Sequence, residues 1–121
     1  MLLLAAGCAS GPELLPGPLP AGVTLAGAWD TNWGRMELTQ HGDVVRGGYE
    51  HHDGLIEGRL EGDLFRFTWN QPGDRKAGVL KASGHGWLRV SQDGLTMEGG
   101  WGYRDAWTGG GGWKAERVLQ E

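Results

Sequence analysis

The sequence predicts an all-β domain, an eight-stranded antiparallel up-and-down (meander) barrel. Three segments, centred on Gly47, Gly58 and Gly99, carry a large residue, a glycine and another large residue at every second position. That spacing is the period of a β-strand with one buried face. Good helix formers nowhere recur at helical spacing over the length of a helix, and short polar turns separate the alternating segments. Repeated units of strand, turn and strand are typical of a meander that closes on itself.

The strands are expected where apolar and polar residues alternate between turn residues. The first segment leads through a Gly-x-Trp sequence to a turn at Asn32, and the next four alternate apolar residues with Arg, Glu or Thr between turns that contain Gly or Asp. The last three follow a longer connection and are separated by glycine-containing turns. Each has the usual length of a strand. In chain order the expected strands are residues 25–31, 34–40, 44–50, 55–60, 64–70, 85–91, 95–102 and 113–119.

The apolar phase of each strand predicts which residues face the inside of the barrel. These residues are Trp29, Met36, Leu38, Val45, Tyr49, Ile56, Leu60, Phe65, Phe67, Trp69, Leu88, Val90, Met97, Trp101 and Trp113. Gly47, Gly58 and Gly99 share the same phase, and a glycine inside a strand either permits a tight bend at a barrel corner or leaves room in the lumen. Eight strands enclose a space that side chains just fill or that holds one small ligand, and both interpretations stay open at this point.

Connection lengths predict that the two ends of the barrel differ. One end, the base, receives the tight turns at residues 41–43, 61–63 and 92–94, which are built on Gly and Asp. The other end, the mouth, receives the longer connections 51–54, 71–84 and 103–112, together with Asn32 and Trp33. Loops on a rigid scaffold are where binding sites usually lie, so the mouth is the expected functional end.

The first residues differ in composition from the rest of the chain. Residues 1–6 are apolar and small and run into Ala5-Ala6-Gly7-Cys8, which resembles the lipobox of bacterial lipoproteins. The resemblance implies that Cys8 is the lipidated first residue of the mature protein and attaches it to the lipid bilayer. No basic region precedes it, so we expect the gene product to start upstream. The alternative is an unprocessed apolar tail with a single thiol, which cannot form an internal disulfide.

The following segment is expected to be a spacer. Residues 9–24 contain most of the five prolines of the chain and one charge, Glu13, and such a composition favours a stiff, extended tether. The chain is therefore divided into a signal remnant with the lipidation cysteine (1–8), a Pro/Gly-rich tether (9–24) and a β-barrel domain (25–121). The tether would leave from the base, so the mouth would point away from the membrane. The absence of Asp after Cys8 resembles the outer-membrane sorting pattern and implies a bacterial cell envelope location, facing the periplasm or the cell surface.

Composition and motif searches argue against several classes of function. There are 11 Lys and Arg against 15 Asp and Glu, with no basic stripe, so no nucleic-acid partner is expected. No carboxylate pair, nucleophile elbow or phosphate loop is present, so we expect no enzyme and no cofactor. His51, His52 and Asp53 would bind a metal only weakly, because adjacent residues on a turn point apart, and we expect no metal site.

A family resemblance lies in the first and last strands. Gly27-Ala28-Trp29, together with Arg117, resembles the signature of the calycins, the lipocalin and avidin type of barrel. The resemblance implies that a basic side chain from the last strand covers Trp29 near the closed end. The run from Gly27 to Gly34 is similar to the first hairpin of avidins, and to small Gly- and Trp-rich bacterial domains of no assigned function. This resemblance implies the fold and not a ligand, because no biotin-binding set matches residue by residue.

The candidate ligand-binding residues are aromatic. We expect Trp33, His52, Tyr103 and Trp107 in the mouth loops, with two inward residues beneath them, Trp69 and Trp101. We also expect the three inward glycines to widen the concavity that these residues line. Exposed indoles with a few polar groups suit stacking on a planar molecule or a sugar. We expect replacement of Trp33 or Trp107 by alanine to affect binding and barely to change stability.

Two functions remain open. One is a non-catalytic, membrane-anchored lipoprotein whose barrel mouth binds a small planar, apolar or sugar-like ligand, including a glycan. The other is a structural or protein-interacting lipoprotein with a filled barrel and no ligand, whose mouth aromatics pack as a lid.

Overall fold

The structure, a computed structural model, describes residues 14–73, 76, 78 and 80–119. Cys8 therefore lies outside the described residues. The strands in chain order are β1 (Gly27–Thr31), β2 (Gly34–His41), β3 (Val44–Tyr49), β4 (Gly54–Glu61), β5 (Leu64–Gln71), β6 (Ala82–Val90), β7 (Thr96–Tyr103) and β8 (Gly111–Arg117). A single turn of 3-10 helix, His51–Asp53, joins β3 to β4. In the described part of the chain, no helix has the length and apolar character needed to cross a membrane.

The eight strands form a closed, all-antiparallel up-and-down barrel. Each strand pairs with its neighbours in sequence, and β1 pairs with β8 to complete the circle. In that closing pair Trp29 lies opposite Arg117 and Thr31 opposite Ala115. The predicted fold is confirmed, and its architecture is compatible with that of a calycin barrel. Closure leaves no strand edge free to pair with another chain.

Side chains fill the inside of the barrel. Every residue expected on the inward face is buried, and Leu25, Leu64 and Ala115 add to the buried set. Phe65 and Phe67 lie together, with their ring centroids 4.9 Å apart. Most of the lumen is therefore a close-packed apolar core, whose burial is the main force that stabilises the fold.

The inward glycines bring neighbouring strands close together and do not widen the lumen. A Cβ atom on Gly47 would overlap the carbonyl oxygen of Glu37, and one on Gly58 would overlap that of Arg66. A Cβ on Gly99 would overlap the carbonyl oxygen of Trp87. Of the two interpretations open from the sequence, the bend at a barrel corner is the one the structure favours.

The chain before β1 is docked against the base of the barrel. The Gly17 N–H donates to Asp63 Oδ1 (2.8 Å), and the Asp63 N–H donates to the Gly17 carbonyl (3.0 Å). Arg89 donates to Asp63 Oδ1 (2.6 Å) and to the Leu15 carbonyl (3.0 Å). Leu19 and Val23 pack against the core. From residue 14 onward the segment thus differs from the free spacer that its composition predicts, because its backbone polar groups have partners on the barrel.

Arg117 and Trp29 meet at the base as the resemblance implies. The guanidinium carbon lies 4.3 Å from the centroid of the indole. The guanidinium also donates to the carbonyls of Thr24 (2.6 Å), Ala26 (3.1 Å) and Gly94 (3.1 Å). Gly27 has a φ of 123°, a conformation that favours glycine, and its Cα faces the same guanidinium. Arg117 therefore holds the entry to β1, the end of β8 and the β6–β7 turn together.

Candidate functional site

The mouth of the barrel holds a small pocket of about 80 Å³. Six aromatic residues form most of its wall: Trp33, Tyr49, Trp69, Trp101, Tyr103 and Trp113. His51 and Gln71 complete the lining. Of the six residues expected at a mouth site, Trp33, Trp69, Trp101 and Tyr103 are brought together here.

The β1–β2 turn places Trp33 over the pocket. The Thr31 hydroxyl accepts from the Trp33 N–H (2.9 Å) and donates to the Gly34 carbonyl (2.7 Å), a local pattern that Thr favours in turns. The Trp33 carbonyl accepts from the His51 N–H (3.1 Å). Asn32 ties the turn to β8, because its side chain donates to the Gly112 carbonyl (3.0 Å) and accepts from the Lys114 N–H (2.9 Å). Hydrogen bonds therefore hold the turn that carries Trp33 to the β3–β4 connection on one side and to β8 on the other.

The rings of the pocket pack edge to face. Trp101 contacts Trp33, Trp69 and Tyr103 at centroid distances of 5.6, 5.5 and 5.1 Å, each with an interplanar angle above 80°. Trp113 meets Tyr49 in the same way at 5.1 Å. Such pairs each contribute about 0.5–1.5 kcal/mol beyond the burial of their area. The wall of the pocket is therefore also part of the packing of the barrel.

Three of the lining residues have a buried indole nitrogen without an acceptor. Trp33 Nε1, Trp101 Nε1 and Trp113 Nε1 find no hydrogen-bond partner in the described part of the chain. By contrast, Trp29 Nε1 donates to the Leu25 carbonyl (3.0 Å) and Trp69 Nε1 to the Gly102 carbonyl (3.2 Å). A fourth unpartnered indole, that of Trp87, lies outside the pocket beside Gly100. Leaving a buried donor unpaired costs about 1–3 kcal/mol, so three at one site need an explanation.

One polar pair completes the pocket. Gln71 Nε2 donates to the Tyr49 hydroxyl oxygen (3.0 Å). Burial raises the pKa of the Tyr49 hydroxyl, and the bond from Gln71 offsets part of that rise, so the phenol is neutral at pH 7. His51 is exposed, but partial desolvation of its ring, together with the neighbouring His52, lowers the pKa of His51 and favours its neutral form. The described lining residues include no Lys, Arg, Asp or Glu, and neither Tyr49 nor His51 carries a full charge at pH 7.

Two of the expected site residues lie elsewhere. Trp107 packs against His85 on the outer surface of the barrel, with ring centroids 4.7 Å apart, and it does not line the pocket. A Cβ on Gly102 would meet the backbone of the 104–110 loop, so the loop folds back closely over the end of β7. His52 is exposed, with a φ of 53°, and stacks on His51. Loop length correctly predicted that both residues lie at the mouth end of the barrel. It did not predict that both lie outside the pocket.

Sequence reasoning did not assign Tyr49, His51, Gln71 and Trp113 to the site. Tyr49 and Trp113 were expected only as core, and Gln71 was placed in a loop. A signal for Gln71 was present, because it continues the inward phase of Phe65, Phe67 and Trp69 along β5. A polar residue in that phase at the last position of a strand indicates a lumen that meets solvent.

Within the described ranges there is no group of three or more His, Cys, Asp or Glu residues that could hold a metal ion. No family model, curated protein or solved structure matches this chain. What the pocket can bind therefore follows from its geometry.

Proposed function

We propose that the protein is a non-catalytic binding protein whose barrel mouth takes a small planar, apolar or sugar-like ligand. The observation that carries the proposal is the coincidence of an aromatic pocket with three buried indole donors that have no acceptor. Ligand sites usually combine apolar walls with a few such polar groups, which orient the ligand. A ligand that brings hydrogen-bond acceptors would remove the cost of leaving these donors unpaired.

The size of the pocket limits how much of a ligand enters. Sites for drug-sized molecules usually measure about 300–1,000 Å³, whereas this pocket measures about 80 Å³. With the rings in the positions that the structure shows, the pocket admits only a group of a few heavy atoms. The rest of the ligand would lie across Tyr103, which is 56% exposed at the rim, and His51, which is also exposed.

The test is quenching of intrinsic tryptophan fluorescence across a library of small heteroaromatic compounds and monosaccharides. Compounds that quench are titrated into the Tyr103→Ala and Trp107→Ala variants. We expect Tyr103→Ala to weaken binding by about tenfold, which corresponds to the loss of one aromatic contact of about 1.4 kcal/mol. Trp107→Ala is the matched control on the outer surface and should bind as the parent does. If no compound quenches, or if both variants bind equally, the binding proposal fails.

We further propose that Cys8 anchors the protein in a bacterial envelope membrane, with the mouth directed away from the bilayer. The support is the docking of residues 14–17 at the base, opposite the pocket. Leu14 follows Cys8 by six positions, so the chain between them spans at most about 20 Å when fully extended. The base would therefore stay close to the membrane surface. Cys8→Ser should leave the membrane fraction, and a Cys8→Ser protein that stays in that fraction after a salt wash would refute the anchor.

A structural role is the second candidate. It is favoured by the filled lumen and by the mutual packing of the mouth rings, which together resemble a closed lid. In that case the mouth tryptophans contribute stability and no ligand is bound. The fluorescence experiment separates the two, because only a binding protein has a quenching response that depends on Tyr103.

A further inference from the structure

The polar groups of the mouth pocket are neutral and offer both donors and an acceptor. Three indole N–H groups are donors without partners. The bond between Gln71 and Tyr49 leaves two donors free, the phenol hydrogen and the second hydrogen of Gln71 Nε2, and leaves Gln71 Oε1 free as an acceptor. If the amide of Gln71 is turned over, the free groups become its NH₂ and the phenol oxygen, so a donor and an acceptor remain in either orientation.

The absence of a full charge restricts what can bind. A charged group transferred into an aromatic pocket loses its hydration and needs a counter-charge to offset that cost. The described lining residues include no Lys, Arg, Asp or Glu. A free carboxylate or ammonium is therefore a poor match, whereas a neutral polar group has partners of the correct kind.

We propose that the group recognised inside the pocket is a neutral carboxamide, including the acetamido form of the same chemistry. Its carbonyl oxygen has two lone pairs and accepts from up to two of the indole N–H groups, and its N–H donates to the Gln71 and Tyr49 pair. A planar carboxamide also has the size that about 80 Å³ allows. This inference rests on the proposed binding function and adds the class of group that is bound.

Binding requires a small rearrangement of the mouth. The three unpartnered nitrogens are buried, so a ligand reaches them only after a ring rotates. Trp33 lies in the β1–β2 turn and is only half-buried, whereas Trp101 and Trp113 lie within strands and are 9% and 2% exposed. Trp33 is thus the ring that opens, and the ligand replaces its contact with Trp101.

The experiment uses three probes of matched shape: benzamide, isopropylbenzene and benzoate. They present a neutral carboxamide, an apolar isostere and a charged group on the same phenyl ring. Binding is followed by NMR through the indole N–H signals, assigned with single Trp→Phe variants. We expect benzamide to bind at least about tenfold more tightly than either other probe, since a site with buried hydrogen-bonding groups rejects analogues that lack partners. We also expect it to move the Trp33, Trp101 and Trp113 signals and not that of Trp29, whose N–H is already bonded.

A pair of variants tests the role of the amide. Gln71→Leu should reduce the preference for benzamide over isopropylbenzene at least about fivefold, as expected for the loss of one buried hydrogen bond of about 1 kcal/mol. Asn70→Leu makes a similar change at the exposed neighbouring position on β5 and should leave the preference intact. Equal binding of all three probes at the mouth would overturn the carboxamide inference but not the proposed function. If none of the probes moves a mouth signal, the carboxamide inference is wrong, and the library screen decides the binding function separately.

Discussion

The guanidinium of Arg117 lies over the indole of Trp29, 4.3 Å from the ring centroid, and also binds three backbone carbonyls around it. The two residues are directly opposite in the β1–β8 register, where the barrel closes. The same side chain therefore caps the buried indole and joins the first strand to the last. Its contacts link segments at opposite ends of the sequence, so the pair contributes to closure as well as to packing.

Replacement of this pair should destabilise the barrel to different degrees. Trp29→Ala should lower the free energy of unfolding by about 3–5 kcal/mol, because it empties a fully buried aromatic site. Arg117→Ala should cost about 1–2 kcal/mol through the lost cation–π contact and hydrogen bonds. The stability of Arg117→Lys should lie between that of Arg117→Ala and that of the parent. A lysine ammonium lacks the planar set of N–H donors with which the guanidinium reaches several carbonyls at once. Urea unfolding followed by circular dichroism measures each value, and Arg46→Ala, a solvent-exposed arginine, is the control. A cost for Arg117→Ala no larger than that of Arg46→Ala would contradict the closing role.

The inward glycines should be intolerant of a side chain. Gly99→Ala places a methyl group against the Trp87 carbonyl oxygen on the neighbouring strand, so the strands must separate. We expect a loss of about 1–3 kcal/mol, the usual range for overpacking. Gly112→Ala on the adjacent β8 is the matched control, because its nearest atom would be 3.8 Å away, and it should change stability by less than about 0.5 kcal/mol. Similar unfolding curves for the two variants would contradict the close contact between Gly99 and the neighbouring strand.

Acid should weaken the docking of the segment before β1. Burial tends to raise the pKa of the Asp63 carboxyl, but the Gly17 N–H and the Arg89 guanidinium together outweigh it and hold the pKa below its usual value. Because the folded pKa is depressed, the stabilisation is complete above about pH 4, near the unfolded pKa, and is lost as pH falls through the folded pKa. Asp63→Asn should lower stability at neutral pH and flatten the decline below pH 4. Denaturant unfolding from pH 2 to 7 measures this.

A matched variant isolates the effect of Asp63. Asp43→Asn removes a carboxylate whose ion pair with Arg59 is solvent-exposed, so it is the control for the loss of a surface ion pair. Part of the acid decline should persist in Asp63→Asn, because hydrogen bonds from the Ser91 hydroxyl and the Leu95 N–H also lower the pKa of Asp93. If Asp63→Asn and Asp43→Asn give the same profile, the buried contact with Gly17 does not govern the acid response.

Trp33 and Trp107 should differ in their effect on stability. The sequence suggested that both could be removed at little cost, but Trp33 packs against Trp101 and Trp113 at 5.6 and 6.5 Å. Trp33→Ala should therefore cost about 2 kcal/mol, less than the loss of a fully buried tryptophan. Trp107 contacts His85 on the outer surface, and Trp107→Ala should cost less than about 1 kcal/mol. Thermal unfolding measures the stability of both variants. Equal melting temperatures for Trp33→Ala and Trp107→Ala would contradict the predicted difference.

Local patterns in the sequence were sufficient to predict most of the fold. The number of strands, their approximate bounds and their buried faces follow from alternation with period two and from turn chemistry, which depend on residues close together in the chain. Strand ends differ by a few residues, as at β6, which begins at Ala82 where we expected residue 85. The contact between Trp29 and Arg117 was also expected, because the resemblance of the first and last strands to the calycin signature implies it.

Three features depended on the tertiary structure. The alternation could not distinguish a corner glycine from one that widens the lumen, because the difference is the distance to the next strand at Gly47, Gly58 and Gly99. Loop length could not predict that Trp107 folds outward. Composition could not show that Leu15 and Gly17 find partners on Arg89 and Asp63, since those partners are far away in sequence.

The sequence by itself therefore determined the strand pattern, the inward face and the end of the barrel at which a site would lie. Only the tertiary structure decided that Tyr49, Gln71 and Trp113 belong to the pocket and that three indole donors there lack acceptors. The physical reason is that periodicity assigns each residue to a face, whereas a pocket and its unpaired groups depend on distances between side chains from different strands. Those distances are set by the coiling of the closed barrel and by the paths of its loops.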